Sequence, residues 1–270
     1  MTGDEFFPPS GMDWQEMARR LAANRSPRVR AEGLLRHTML SQQLDAIKEL
    51  LHRNQQAEAA TRIKFEELDA EIEANPNNEQ LDNVRDERFW AAVFMDSAHS
   101  MSAVGMLAPF VESLFVSIFA GLGERAQDKA SDDPRAKATQ NQYWNPQIVF
   151  GKDGPRTDFV MGVAQLAAST GLQPFLPDGY QKTLSALVGY RNNMFHNGFE
   201  WPLKARHNFA NRIKKEDWPS DWFSQATSGD EPWVFYMSDD FIEHCLVMID
   251  QVLDGVGRYL EQGGTGADLT

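Results

Sequence analysis

From Gly105 to Gly123 the chain runs through nineteen residues that carry a single charge, Glu112. A segment this apolar must leave water, into either a bilayer or a protein core. A membrane span needs about 20 apolar residues. Pro109 and the mid-segment carboxylate of Glu112 make this stretch a poor span. The expectation is therefore a buried central helix that starts near Pro109, with no membrane association. Val111, Leu114, Phe115, Ile118 and Phe119 surround Glu112 with apolar groups. A carboxylate in such surroundings has to be paired or protonated.

The rest of the chain reads as helices arranged around that segment. Residues 1–11 form a loose arm, and Asp13 caps a short helix through about Asn24. From Arg28 to Ala74 there is no proline, which predicts one long helix or a helical hairpin. Leu40, Leu44, Ile47 and Leu51, then Phe65, Leu68 and Ile72, give a seam of coiled-coil type, better suited to packing on its own domain than to dimerising. No internal repeat is visible. Asn75-Pro-Asn-Asn78 is a turn, and a second long helix runs from about Glu79 to Leu107.

Residues 127–157 are polar and predict a long loop with a short strand at Gln147–Phe150. Gly151-Lys-Asp-Gly154 lacks the spacing of a phosphate-binding loop. A helix over Asp158–Thr170 follows, then a turn at Pro174 and Pro177, then a helix from about Asp178. Another helix starts at Trp201-Pro202 and ends near Lys215. Pro219 to Trp233 reads as a loop, and Trp233–Tyr236 as a small strand. Ser238 caps the last helix, with Asp239 and Asp240 in its first turn. That helix turns Phe241, Cys245, Met248, Ile249, Val252, Val256 and Tyr259 to the core. The chain is thus expected to be all-α: an arm at 1–75, a helical bundle at 79–262 and a tail at 263–270.

Chemistry concentrates in the stretch Leu184 to Gly198. Leu184, Leu187, Val188 and Phe195 make one apolar stripe of a helix, and Arg191 falls inside it. An always-charged guanidinium on a core-facing position must find a carboxylate or an anion. Glu112 is the natural partner. Its pairing would join two central helices and orient Arg191. His196 shares a helix face with Asn192, and Gly198 supplies the stop that helices favour at their C-terminus.

Arg191-Asn192-x-x-x-His196 near the end of a late helix resembles the HEPN superfamily. Its members are helical bundles, usually dimers, and many are endoribonucleases that need no metal or cofactor. The resemblance assigns catalysis to Arg191 and His196, with Asn192 as the polar residue after the Arg, and leaves Glu112 in a supporting role. It implies single-stranded RNA as substrate, a homodimer with a composite site, and a toxin or defence role with an antitoxin or regulatory partner. Some toxin members carry a Tyr two residues after the His that a partner enzyme modifies. Gly198 stands there in this chain.

Charge supports that reading through its distribution. The net charge of −13 argues at first against nucleic acid. Yet residues 191–215 hold six Lys/Arg and one acid, whereas 216–270 hold twelve acids and one Arg. Lys204, Arg206, Arg212, Lys214 and Lys215, interleaved with Trp201 and other aromatics, predict a surface that contacts phosphates and stacks bases. The structural alternative is a solvated basic face docked on the acidic C-terminal segment. The single cysteine, Cys245, excludes an intramolecular disulfide and any cysteine-based zinc site. The other histidines are dispersed without metal-ligand spacing, so no metal centre is expected. The acidic N-terminus lacks an apolar signal core, so a cytoplasmic protein is expected. Two other functions compete: a non-catalytic RNA- or nucleotide-binding module of the same type, and a helical protein-interaction protein.

Overall fold

The computed structural model of the chain describes residues 26–35, 39–75, 78–125, 135–136 and 138–263. The N-terminal arm and its short helix, and most of the C-terminal tail, lie outside them. Helix α1 spans Pro27–Leu34, α2 Leu40–Ala74 and α3 Glu79–Arg125. The expected break near Pro109 is absent, because Glu79–Arg125 is one helix of 47 residues. Proline inside a helix costs about 3 kcal/mol. Here its ring is exposed, and Leu107, Ala108, Phe110, Val111 and Leu114 around it are each 5% exposed or less. Each fully buried large apolar side chain contributes about 1.5–3 kcal/mol, so burial on both sides outweighs the lost hydrogen bond. By length and composition α3 could cross a membrane, but more than half of its most apolar window is buried inside the chain.

The Arg28–Ala74 run divides into α1 and one unbroken helix, Leu40–Ala74. That helix folds back along α3 through the turn in which the Asn78 N–H donates to the Asn75 carbonyl at 3.1 Å. Leu40, Leu44 and Leu51 are buried in the main core, and Ile47 packs against it. The seam therefore faces the chain's own central helix.

Short helix α4 (Gln140–Tyr143) precedes strands β1 (Ile148–Gly151) and β2 (Gly154–Thr157). Helix α5 (Phe159–Ser169), a 3₁₀ turn at Gln173–Phe175, α6 (Tyr180–Asn197) and α7 (Leu203–Lys215) follow. Strands β3 (Phe223–Ser228) and β4 (Glu231–Met237) then lead into α8 (Asp239–Glu261). The fold is mostly helical, but two antiparallel hairpins correct the all-α expectation. The β3 strand occupies a segment whose Ser- and Gln-rich sequence reads as loop. Its buried positions, Phe223 and Ala226, are three apart, and a register irregularity follows at Ala226/Thr227. The alternation that marks a strand is therefore broken.

The first hairpin is fastened from the loop before it. Arg135 is fully buried and donates to the carbonyls of Ile148 (2.8 Å), Asn145 (2.7 Å) and Gln142 (3.1 Å), and to Gln165 Oε1 (3.2 Å). Gln165 in turn exchanges two hydrogen bonds with the backbone of Phe150. An arginine can stay charged in the interior only with this many acceptors.

Helix α8 closes the bundle with the expected residues, capped by Ser238 Oγ accepting from the Phe241 N–H at 3.1 Å. Burial pushes the Cys245 thiol up, which keeps it protonated and inert. Asp250 accepts from Arg28 at 3.0 Å and Lys48 at 2.7 Å, tying α1 and α2 to α8. Contact between α1 and α8 is backbone-close at Gly257, where a Cβ would stand 1.9 Å from the Pro27 carbonyl oxygen. Helix propensity alone favours Gly257→Ala by about 1 kcal/mol. The clash should reverse that sign, with a net loss of about 1–3 kcal/mol in chemical denaturation, the usual cost of overpacking.

Candidate active site

Helix α6 buries Thr183, Leu184, Leu187, Tyr190 and Met194, a stripe at helical spacing. Tyr190 fixes its roll, donating its hydroxyl to the Phe235 carbonyl at 2.9 Å. With the stripe running through Tyr190 and Met194, Arg191 falls on its shoulder. The sequence places Phe195 on the core face, but it is 59% exposed. Phe195 sits 100° from Met194 around the helix, and its ring rests over Gly105 of α3, 3.4 Å from where a Cβ would be.

Arg191 and Glu112 meet as expected: Arg191 Nη1 donates to Glu112 Oε1 at 2.7 Å. Their side chains are 29% and 21% exposed, so the pair is partly wet rather than sealed in the core. Arg191 Nε donates to Asn192 Oδ1 at 3.3 Å. Two sides of the guanidinium are thus held by neighbours, and Nη2 makes no hydrogen bond among the described residues. His196 is exposed and likewise has no hydrogen-bond partner among them. It sits about 7.5 Å further along the helix and about 140° around it from Arg191. The helix ends at Gly198 with φ +71°, its N–H donating to the Met194 carbonyl at 2.9 Å. A positive φ of this kind is one that only glycine adopts at no cost. The arrangement is a held guanidinium with a free edge on a helix whose last turn carries an unengaged imidazole. Such a pair suits binding an anion and moving a proton beside it.

The basic helix behaves differently from its sequence. Trp201 is 1% exposed, donates its indole N–H to the Gly198 carbonyl at 2.9 Å and stacks on Phe235. It has no free face for a base. Arg206 donates to the carbonyls of Trp201 and Pro232. Arg212 donates to Glu216 (2.7 Å) and Ser185 (3.0 Å) and lies over the Trp218 ring. These three residues hold α7 to α6 and the second hairpin, because α7 buries Phe209 into an aromatic cluster with Tyr190, Trp201, Phe223 and Phe235. Lys204, Lys214 and Lys215 remain exposed. Lys204 and Lys215, eleven residues apart, point within about 20° of each other.

A second constellation escaped the sequence. A cavity of about 510 Å³ opens between α2 and α3, lined by Glu58, Asp96 and His99 among apolar walls such as Phe65 and Met95. Asp239, at the start of α8, lies 3.9 Å from His99 Nε2. Burial, and after it the carboxylate of Glu58, push the Asp96 carboxyl up to about 6. The cavity lies about 20 Å along the α3 axis from Glu112 at 1.5 Å per residue. Two helices line the cavity and a third brings Asp239 beside His99, so no short spacing announces these groups. Asp96 and His99, one turn apart, are the only local signal.

No family model matches the chain, and no curated protein or solved structure proves similar to it.

Glu112→Gln removes one charge of a half-buried pair. It should lower stability by about 1–2 kcal/mol, between the values for exposed and buried pairs. An unchanged melting temperature would show that the pair carries no stability.

Asp96→Asn tests the cavity's electrostatics through pH. The folded carboxyl titrates above its unfolded value of 3.8, so the native state holds a proton that the unfolded state has lost between about pH 4 and 6. Stability therefore falls as pH rises through that window and stays low above it. In chelator, the Asn variant should melt above the wild type at pH 8, and the gap should close towards pH 4. A pH-independent gap would contradict this origin.

Proposed function

We propose that the chain is an endoribonuclease of the HEPN kind, cutting single-stranded RNA without a metal by means of Arg191 and His196. The observation that supports it best is the Arg191 guanidinium, gripped by Glu112 and Asn192 yet open at Nη2, on the same helix end as an unengaged His196. In the reaction the 2′-oxygen of the substrate attacks the adjacent phosphorus and gives its proton to a base. The bond from phosphorus to the 5′-oxygen breaks, and an acid protonates the leaving oxygen. Arg191 neutralises the charge that gathers on the non-bridging oxygens.

One His cannot occupy the base and the acid position at the same moment. Two copies of the chain, related by a two-fold axis, would bring two His196 side chains to one phosphate, and this is why we read the active form as a homodimer. Lys204, Lys214 and Lys215 supply the backbone-contacting charge, without the stacking that Trp201 would have added. A role as a toxin or defence effector, with a protein that restrains it, goes with this reading.

Purified protein in excess EDTA should cut single-stranded RNA to products ending in a 2′,3′-cyclic phosphate and a 5′-hydroxyl. RNA with 2′-O-methyl groups at the cut site, and DNA, should resist. His196→Ala should abolish cleavage with the fold intact. Lys214→Glu with Lys215→Glu should raise the substrate concentration required and flatten the salt dependence without changing the product ends. RNA binding without cleavage would favour a non-catalytic binding module. Absence of both would leave a helical protein-interaction protein.

A further inference from the structure

Around the cavity between α2 and α3, three helices bring together groups whose chemistry suits a cation. Glu58 comes from α2, His99 from α3 and Asp239 from the first turn of α8, and one ligand atom of each lies within 4.8 Å of the other two. Tetrahedral coordination at about 2.0–2.2 Å puts ligand atoms roughly 3.3–3.6 Å apart. Closing that difference asks for about an ångström of movement, which the half-buried Glu58 and the exposed Asp239 can supply. His99 is the fixed member: its side chain is only 11% exposed. Its Nε2 is shut off from solvent and lacks a hydrogen-bond partner among the described residues. Leaving a ring nitrogen buried and unsatisfied costs about 1–3 kcal/mol, and a ligand on Nε2 would remove that cost.

We propose that Glu58, His99 and Asp239 form a binding site for a divalent transition-metal cation, Zn²⁺ foremost. Two carboxylates and a neutral imidazole bring a charge of −2, matched to a dication. The nitrogen donor disfavours Mg²⁺ and Ca²⁺, which prefer oxygen alone. Gln55 Nε2 donates to Asp239 Oδ1 at 3.3 Å, orienting that carboxylate from outside. Arg62 lies 3.8 Å from one oxygen of Glu58, and the other oxygen is available to the metal. Three protein ligands leave a fourth position open to the cavity, where Asp96 stands one turn before His99 on α3. A bound ion would clamp α2, α3 and α8 together. The proposal does not rest on ribonuclease activity, which the Arg191 site would carry out in chelator.

The test uses the full chain without an affinity tag, stripped by chelator and exchanged into metal-free buffer. Titration calorimetry with ZnCl₂ should show one saturable site per chain, with Mg²⁺ giving no heat, and Zn²⁺ should raise the melting temperature. Co²⁺ should give the visible absorption of a four-coordinate ion. His99→Gln, Glu58→Gln and Asp239→Asn should each weaken Zn²⁺ binding by about tenfold or more, with circular dichroism unchanged. His52→Gln, an exposed histidine on α2 that contacts Gln56, should bind like wild type. If one variant fails to fold, the other two carry the comparison. No saturable binding in wild type, or equal affinity in all three variants, overturns the site.

Discussion

Everything in this molecule answers to the need to bury the second half of α3. Between Ala103 and Leu122 it presents apolar side chains on every side, ten of them at 1% exposure or less. A helix this apolar has little polar face to leave in water, so the chain covers most of it and leaves one stripe, Pro109, Ser113, Val116 and Ala120, exposed. Helices α1, α2, α5, α6 and α8 and strand β4 each pack on α3. The same demand explains why α3 continues through Pro109. A break there would lift one half of the stripe off its neighbours, at a cost far above one missing hydrogen bond.

The candidate active site follows from that geometry. Glu112 lies on the flank of α3 where α6 crosses it, and α6 is held in roll by Tyr190 and in length by Gly198. Arg191 therefore arrives at Glu112 with its backbone already fixed, and the pair holds its side chain against part of the roughly 2 kcal/mol of rotamer entropy a free Arg carries. The basic island downstream illustrates the opposite outcome. Its charges split between those that build the joint of α7 with the second hairpin and those left in solvent.

The sequence carried the long helices, the cap at Ser238, most of the inner stripe of α8 and the Arg191–Glu112 pair. These are local or charge-counting inferences: periodicity, capping chemistry and the impossibility of an isolated charge among apolar side chains. What it hid were features decided by tertiary competition. Phe195 looks apolar enough for the core but loses that place to Met194, one position earlier on the helix. Trp201 sits among lysines and arginines and reads as a surface ring, whereas Phe235, thirty-odd residues on, claims its face. Arg135 lies in a polar stretch and gives no sign that four oxygens will gather round it. His99 has no metal-like spacing, since Glu58 and Asp239 belong to other helices.

Asp250 joins Arg28 across 222 positions of sequence, and Arg30 reaches Glu261 at 2.7 Å. During synthesis α1 thus emerges long before the surface it packs on. Local pairs such as α2 with α3 close early, since loop entropy favours short separations. The seat of α1 is complete only when α8 has left the ribosome, so the last two dozen residues of the described chain act as a latch on its beginning. Any product that stops short of α8 would display the apolar sides of α1 and α3 together, the kind of surface that chaperones and proteases recognise.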